Sequence, residues 1–198
     1  MNRDDNKRWY QDSNWHMFWL AIITAGIFYY QLWQMRIDTR PWIEFKPSSQ
    51  IPIPQVSVQM VAPIQFINVG KTPAKDLRAY SFVEIVDIDK PPHLVKAEGE
   101  DNGPWTRTIS GIVFPEVVVD GMAKSLDEKG ADRPITDAEY QRLMKGEAYF
   151  AISGIAFYKD VCNTKHWTRF CGWHSFAAVK VAAIACVANN TVDDNLWW

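Results

Sequence analysis

The sequence predicts a mainly β protein: an antiparallel β-sandwich with one N-terminal transmembrane helix and one short inserted helix. The stretch from Ser13 to Met35 contains no Asp, Glu, Lys or Arg. The chain beyond it consists mostly of short apolar segments separated by turn residues. This pattern favours antiparallel strands, because a parallel sheet needs a crossover helix after nearly every strand. We therefore expect a polar tail at 1–12, a transmembrane helix at 13–36 and a β-sandwich domain at 37–198.

Composition excludes several classes of protein. Apolar residues make up 47% of the 198 positions and charged residues 22%, which is ordinary for a globular chain and excludes a disordered one. The net charge is -2 and there is no basic run, so we expect no nucleic acid to bind. The ten Trp, ten Phe and seven Tyr are typical of a membrane interface or a β-rich core.

The uncharged N-terminal stretch has the length of a membrane span. At about 1.5 Å per residue it reaches roughly 30 Å. Aromatic rings favour the headgroup region, and near the two ends lie Trp15, Trp19, Tyr29, Tyr30 and Trp33. A buried core helix is one alternative, but the stretch lacks a polar face. A cleaved signal peptide is the other, but no small-x-small cleavage site is followed by a polar segment.

These features predict a single-pass protein of the inner (plasma) membrane. Lys and Arg are equally numerous near the two ends of the span, so only the α-amino group favours an N-terminus inside the cell. The β domain is then expected on the periplasmic or extracellular side. Ala21 and Ala25 form a small-xxx-small pair that would let two helices approach closely. The expected partners are the lipid bilayer and either another protein or a second copy of the chain.

The clearest strand lies between Leu77 and Ile85. Its odd-numbered side chains point to one face, and its even-numbered side chains, which include Arg78 and Glu84, point to the other. Pro and Gly residues predict a loop at 88–105. Further strands are expected at 62–69, 106–114, 116–119, 147–159, 166–175 and 177–188.

One short helix is expected among the strands. Thr136 and Glu139 form a capping box, in which Thr136 is the N-cap and Glu139 reaches back to it. Gly146 suits the position just after the last helical turn.

A Gly-Lys-Thr sequence at 70–72 does not form a phosphate-binding loop. The first glycine of that motif would fall at Gln65, and Pro73 excludes the helix whose N-terminus would hold the phosphate. We therefore expect no nucleotide to bind. The segment instead predicts a turn between strands, in which Asn68 bonds the turn backbone and Gly70 allows a positive φ.

Four residues with metal-binding side chains lie close together in the sequence: Cys162, His166, Cys171 and His174. A metal-binding or redox protein that uses this cluster is the alternative function. The spacing matches no closed zinc site, and on a strand both histidines would face away from Cys171, so we expect no metal and no other cofactor. The cysteines are either small buried apolar groups, or Cys171 pairs with Cys186 and Cys162 stays free.

No catalytic constellation is recognisable. Ala151-Ile152 precedes Ser153-Gly154, so the Gly-x-Ser-x-Gly pattern of a nucleophile elbow is absent. We therefore expect a protein that is not an enzyme.

Three motifs resemble a widespread group of bacterial proteins with one N-terminal transmembrane helix and a C-terminal β domain. They are Asn-x-Gly-x-Thr-Pro-Ala at 68–74, a glycine-containing strand from Gly146 to Tyr158, and Tyr-x-Asp followed after a turn by His-x-Thr-Arg-Phe-Cys at 158–171. The resemblance implies a membrane-anchored β-sandwich of immunoglobulin-like type and no particular activity. The chain departs from the group in the turn, where the group often has Phe-Gly and this chain has Cys162.

The last motif also has a physical interpretation of its own. Asp160 lies just before the turn, where its carboxylate would accept the turn amides or pair with His166 across the hairpin. Together with Arg169, these residues are predicted to specify the hairpin.

The expected function is therefore binding or assembly. A membrane-anchored β-sandwich would contact a protein partner or form a subunit of a membrane complex. Trp197 and Trp198 end the chain. They would dock on a membrane, a partner or a neighbouring subunit, or fold back on the domain's own surface.

Overall fold

The structure is a computed structural model that describes residues 13–47, 51–93, 106–177, 184–186 and 191–192. The chain divides into two compact units, Met1–Thr39 and Arg40–Trp198. The first contains one helix and the second contains the strands.

The first unit contains helix α1, Ser13–Asp38, which confirms the predicted helix. Two of its polar side chains bond within the helix: Thr24 Oγ1 donates to Leu20 O at 2.8 Å, and Gln34 Nε2 donates to the Tyr30 hydroxyl at 2.9 Å. In the part of the chain that the structure describes, no helix is long and apolar enough to cross a membrane. The predicted span at 13–36 is thus not confirmed.

The second unit is mainly β, as predicted, and its paired strands are all antiparallel. The described strands are β1 Ile43–Pro47, β2 Val61–Asn68, β3 Ala74–Asp87, β4 Thr106–Val113, β5 Val118–Lys124, β6 Ala148–Lys159, β7 Lys165–His174 and β8 Ile184–Ala185. They form a three-stranded sheet in the order β1-β2-β5 and a five-stranded sheet in the order β4-β3-β6-β7-β8.

Most predicted strands are present, with two differences. The strand expected at 116–119 begins two residues later, because a turn with Glu116 at φ 65° precedes β5. Of the strand expected at 177–188, only Ile184–Ala185 is a strand within the described residues, and 178–183 and 187–190 lie outside them. The alternation from Leu77 to Ile85 is confirmed, since the odd-numbered side chains are the more buried ones.

The two sheets contribute to one hydrophobic core. Phe45 of β1 stacks on Phe170 of β7 with ring centroids 4.3 Å apart. Phe66 of β2 meets the same Phe170 edge-on at 5.5 Å. Buried residues from both sheets belong to the same cluster, so side chains of both sheets form this core.

The predicted short helix is α2, Asp137–Lys145, and its caps are confirmed. Thr136 Oγ1 accepts from the Glu139 amide at 3.3 Å, and Glu139 Oε2 accepts from the Thr136 amide at 3.0 Å. Gly146 follows the helix at φ 77°. Burial raises the pKa of Glu139, but hydrogen bonds from Thr136 and the charge of Arg133 outweigh it, so this pKa lies below its usual value.

Candidate functional site

The turn between β2 and β3 is organised by one fully buried side chain, Asn68. Its Oδ1 accepts from the amides of Trp42 at 3.2 Å and Gly70 at 3.0 Å. Its Nδ2 donates to the carbonyls of Thr72 at 2.8 Å and Val113 at 2.9 Å. The prediction that Asn68 bonds the turn backbone is confirmed. Because its donors and acceptor are engaged by backbone, this turn has a structural role.

The expected positive φ at Gly70 is wrong. Among the described glycines, only Gly130 and Gly146 have a positive φ. Glycine is required here by close approach instead: a Cβ at this position would lie 2.4 Å from Arg40 O and 2.5 Å from Trp42 N. The turn packs directly against the chain that enters β1, and a side chain would separate them.

The turn between β6 and β7 is organised by Asp160. Its amide donates to Thr164 O at 3.0 Å, and its Oδ1 accepts from the Thr164 amide at 2.8 Å. Its Oδ2 lies 3.5 Å from Nε2 of His166, which is 5% exposed. Asn163 occupies the left-handed region at φ 66°, which Asn tolerates better than most residues. Both contacts expected of Asp160 are therefore present.

Arg169, the third residue predicted to specify the hairpin, lies further along β7. Its guanidinium carbon is 4.8 Å from the centroid of the Trp167 ring, a cation–π contact. Its backbone amide donates to Thr191 O at 2.8 Å. Arg169 thus contacts the segment at Thr191 and the Trp167 ring rather than the turn itself.

The four-residue metal cluster is not assembled. Cys171 and Cys186 form a disulfide with their Cα atoms 5.3 Å apart, so the Cys171 sulfur is not a thiolate ligand. Cys162 is free and exposed. The His174 ring packs on Phe176 at 4.7 Å. Within the residues that the structure describes, no three His, Cys, Asp or Glu side chains are grouped to hold a metal ion.

The two remaining sets of predicted site residues lie apart from these turns. Ala21 and Ala25 are exposed on α1, one helical turn apart and therefore on one side of the helix. Trp197 and Trp198 lie outside the described residues.

A β-bulge in β3 creates a feature that sequence reasoning missed. The register between β3 and β6 shifts between Lys75 and Arg78. Asp76 lies within the bulge at φ 52°, a conformation that L side chains rarely adopt. Its Oδ2 accepts from Lys159 Nζ at 2.7 Å, and this contact lowers the pKa of Asp76 below its usual value.

A cavity of about 250 Å³ adjoins the bulge and the β6–β7 turn. Its apolar wall is formed by Phe157 and Tyr158. The other lining residues are Asp76, Arg78, Lys159, Lys165 and His166. Three permanent cations thus face one carboxylate, and the cavity is cationic although the whole chain carries a net charge of -2.

Three lysines lie in register across adjacent strands beside this cavity. Lys75 of β3 is opposite Lys159 of β6, which is opposite Lys165 of β7. Lys75 Nζ turns to the hairpin and donates to Val161 O at 3.0 Å. Like charges directly opposite one another destabilise a sheet, so a lysine row is costly unless anions compensate it.

Only part of this arrangement was accessible from the sequence. A hairpin that turns near Asn163 already places Lys159 opposite Lys165. Asp76 and Arg78 reach this cavity because β3 pairs with β6. That pairing joins positions about eighty residues apart, so no local sequence pattern predicts it.

Comparisons with known proteins do not extend these observations. No protein-family model matches the chain, and no curated protein matches it. The resemblance to bacterial proteins with one transmembrane helix and a β domain therefore rests on the motifs at 68–74 and 146–171 alone.

Proposed function

We propose that the protein is a membrane-associated binding module, with a binding rather than a catalytic role. In this proposal α1 lies in the lipid bilayer of the inner membrane. The two sheets close as a β-sandwich that contacts a protein partner outside the cytoplasm. The observation that carries the proposal is the large amount of apolar surface that both units expose.

The membrane part of the proposal rests on α1. Its exposed apolar side chains are not confined to one face, unlike those of a helix that packs on a core. They include Leu20 at 67%, Ile23 at 57% and Phe28 at 61% exposure. No charged residue occurs from Ser13 to Met35. A bilayer would cover such a helix on all sides, and it would also bring Ala21 and Ala25 within reach of a second copy.

Alkaline carbonate extraction of cells that express the full chain tests the membrane part. We expect the protein to stay in the membrane pellet. Ile23→Asp should release it, because a carboxylate near the centre of a span costs about 2.5–3.5 kcal/mol. Ile88→Asp, at an exposed position in the β unit, is the matched control and should not release it. Wild-type protein in the soluble fraction would contradict the proposal.

The partner-binding part rests on the connection between β4 and β5. Large apolar side chains are exposed along both strands and the turn that joins them: Ile109, Ile112, Phe114, Val117, Val118 and Met122. The exposed fraction of Phe114 is 57%, and that of Met122 is 55%. β4 and β5 are end strands of two different sheets, and exposed apolar side chains along such strands and the turn between them are typical of a protein interface. Trp197 and Trp198 remain proposed as further contacts with a partner.

Site-specific photocrosslinking in living cells tests this surface. A photoreactive residue at Phe114 should give one discrete adduct, and the same residue at Ile88 should give none. An adduct of twice the chain mass would identify a second copy as the partner, and a heavier or lighter one another protein. Equal labelling at both positions would contradict a specific surface.

The proposed side of the membrane is supported by the Cys171–Cys186 disulfide, because disulfides persist in oxidising compartments. Cys162 offers a direct test, since its thiol is free and exposed. A membrane-impermeant thiol reagent should label Cys162 in intact cells, and Cys162→Ser should abolish that labelling. Labelling only after lysis would contradict the proposed side.

A further inference from the structure

We propose that the cavity at the β3 bulge is a binding site for a phosphate monoester group. The phosphate would lie between Arg78 and Lys165, and the organic part of the ligand would contact Phe157. This site is separate from the surfaces in the proposed function, and it has no counterpart in the motif that was rejected at 70–72.

The charges that line the cavity support an anion. Lys159 is paired with Asp76, and His166 lies beside Asp160. Arg78 and Lys165 are both exposed, and neither has an ion pair among the described residues. Asp76, already paired with Lys159, acts on Arg78 only at longer range, so the two cations without an ion pair match a phosphate monoester, which carries about -1.5 to -2 charges at pH 7. Arg78 adds a planar fork of donors that suits phosphate oxygens.

The strand register supports the same conclusion independently. The lysines at 75, 159 and 165 occupy one row across three paired strands, where each repels its neighbour. Asp76 relieves the repulsion mainly at Lys159, with which it is paired, and more weakly at Lys75, whose Nζ donates to the carbonyl of Val161. Lys165 is left without such relief in the described structure. An oxyanion beside Lys165 would remove the remaining repulsion.

The shape of the cavity limits the ligand. Its volume of about 250 Å³ lies below the roughly 300–1,000 Å³ of sites that hold drug-sized molecules. The bulge opens the space by turning Asp76 out of the ladder, while Phe157, which is partly exposed on β6, lines it on the apolar side. A phosphate carried on a short organic group, rather than a nucleotide, is the class that fits.

Isothermal titration calorimetry of the purified full chain with glycerol 3-phosphate tests the site. We expect saturable binding that weakens by at least about tenfold in the double variant Arg78→Gln/Lys165→Gln, which corresponds to about 1.4 kcal/mol. The matched control is Lys46→Gln/Lys129→Gln, which removes the same charge from exposed positions elsewhere. It should bind as the wild type does. No binding by the wild type, or equal weakening in both double variants, would overturn the proposal.

A single substitution gives an expected effect of opposite sign. Asp76→Asn removes the one carboxylate in the cavity and leaves Lys159 without its anionic partner. Asn also tolerates the positive φ at this position, so folding is preserved. Glycerol 3-phosphate should bind several times more tightly to this variant than to the wild type. Unchanged or weaker binding, with an unaltered urea midpoint, would contradict an anion site.

The phosphate could be carried by a solute or by a lipid headgroup, and competition distinguishes these sources. Phosphatidylcholine vesicles are added to the titration with and without phosphatidic acid. Displacement of glycerol 3-phosphate only by the phosphatidic acid vesicles would assign the site to a lipid. Displacement by neither would assign it to a soluble ester. Displacement by pure phosphatidylcholine, which has no monoester, would overturn the assignment.

Discussion

The turns at 69–73 and 160–164 use one polar side chain each to hold their backbone, but they differ in what that side chain connects. Asn68 is fully buried and bonds segments 26 and 45 positions away as well as its own turn. The side chain of Asp160 is 17% exposed; it accepts from the Thr164 amide and lies beside His166, both within its own hairpin. The first turn therefore fixes the fold, whereas the second is locally specified and borders the cationic cavity.

This difference suggests where function can reside. The Asn68 side chain has its oxygen and both amide hydrogens engaged by backbone groups, so it has no capacity left for a ligand. A turn that is held by contacts within its own hairpin can carry binding residues, because substitutions there disturb few other contacts. Substitutions in the two turns should therefore differ in their effect on the free energy of unfolding.

The largest loss is expected for Asn68→Ala. It leaves four backbone groups without their partner, one in a buried bond and three in part-buried bonds, and an unsatisfied buried group costs about 1–3 kcal/mol. We expect the free energy of unfolding in urea to fall by about 4 kcal/mol or more. A loss below about 1 kcal/mol would mean that water replaces the side chain and that this turn is no more constrained than the other.

The next largest loss is expected when the disulfide is removed. Cys171 and Cys186 are 15 positions apart, and closing a loop of that size contributes about 3 kcal/mol. Cys171→Ser/Cys186→Ser should lower the free energy of unfolding by about that amount, and reductant should destabilise the wild type but not the variant. Cys162→Ser is the control and should be nearly neutral, because that thiol is exposed.

Gly70→Ala tests whether the close approach of the chain before β1 constrains the buried turn. The added methyl group would meet backbone atoms of Arg40 and Trp42 at 2.4–2.5 Å, and such overpacking costs about 1–3 kcal/mol. Gly111→Ala on β4 is the matched control, since nothing lies within 4 Å of its Cβ position. It should change the free energy of unfolding by less than about 0.5 kcal/mol. Equal effects would show that the turn moves to accommodate a side chain.

These two turns also show how far sequence reasoning reaches. The role of Asn68 in its turn, the contacts of Asp160 and the caps of α2 follow from residues a few positions apart, and all three were predicted. The reason for Gly70 was predicted wrongly, because its constraint comes from the chain that enters β1. The cavity was not predicted, because it depends on the bulge at Asp76 and on the pairing of β3 with β6. Contacts between residues a few positions apart can be predicted from the sequence, whereas a site that several strands form together depends on the order of those strands in the sheet.

Asp160→Ala should have a smaller effect than any change in the buried turn. It removes the acceptor of the exposed Thr164 amide, where water takes its place, and the neighbour of the buried His166 ring, whose 3.5 Å contact is long for a hydrogen bond. We expect a loss of about 1 kcal/mol. Asp160→Asn keeps an oxygen toward Thr164 and should lose less. A loss of about 4 kcal/mol would place this turn in the same class as the one at Asn68.

The smallest effect is expected for Asn163→Ala. Asn163 has a φ of 66°, and the left-handed region is less favourable for Ala than for Asn. The free energy of unfolding should fall by less than about 1 kcal/mol, and Asn163→Gly should be nearly neutral because Gly adopts this conformation freely. Both variants should bind glycerol 3-phosphate as the wild type does, since Asn163 does not line the cavity. Weaker phosphate binding in these variants would mean that the geometry of the turn and the cavity are coupled, and the hairpin would then be part of the site rather than its border.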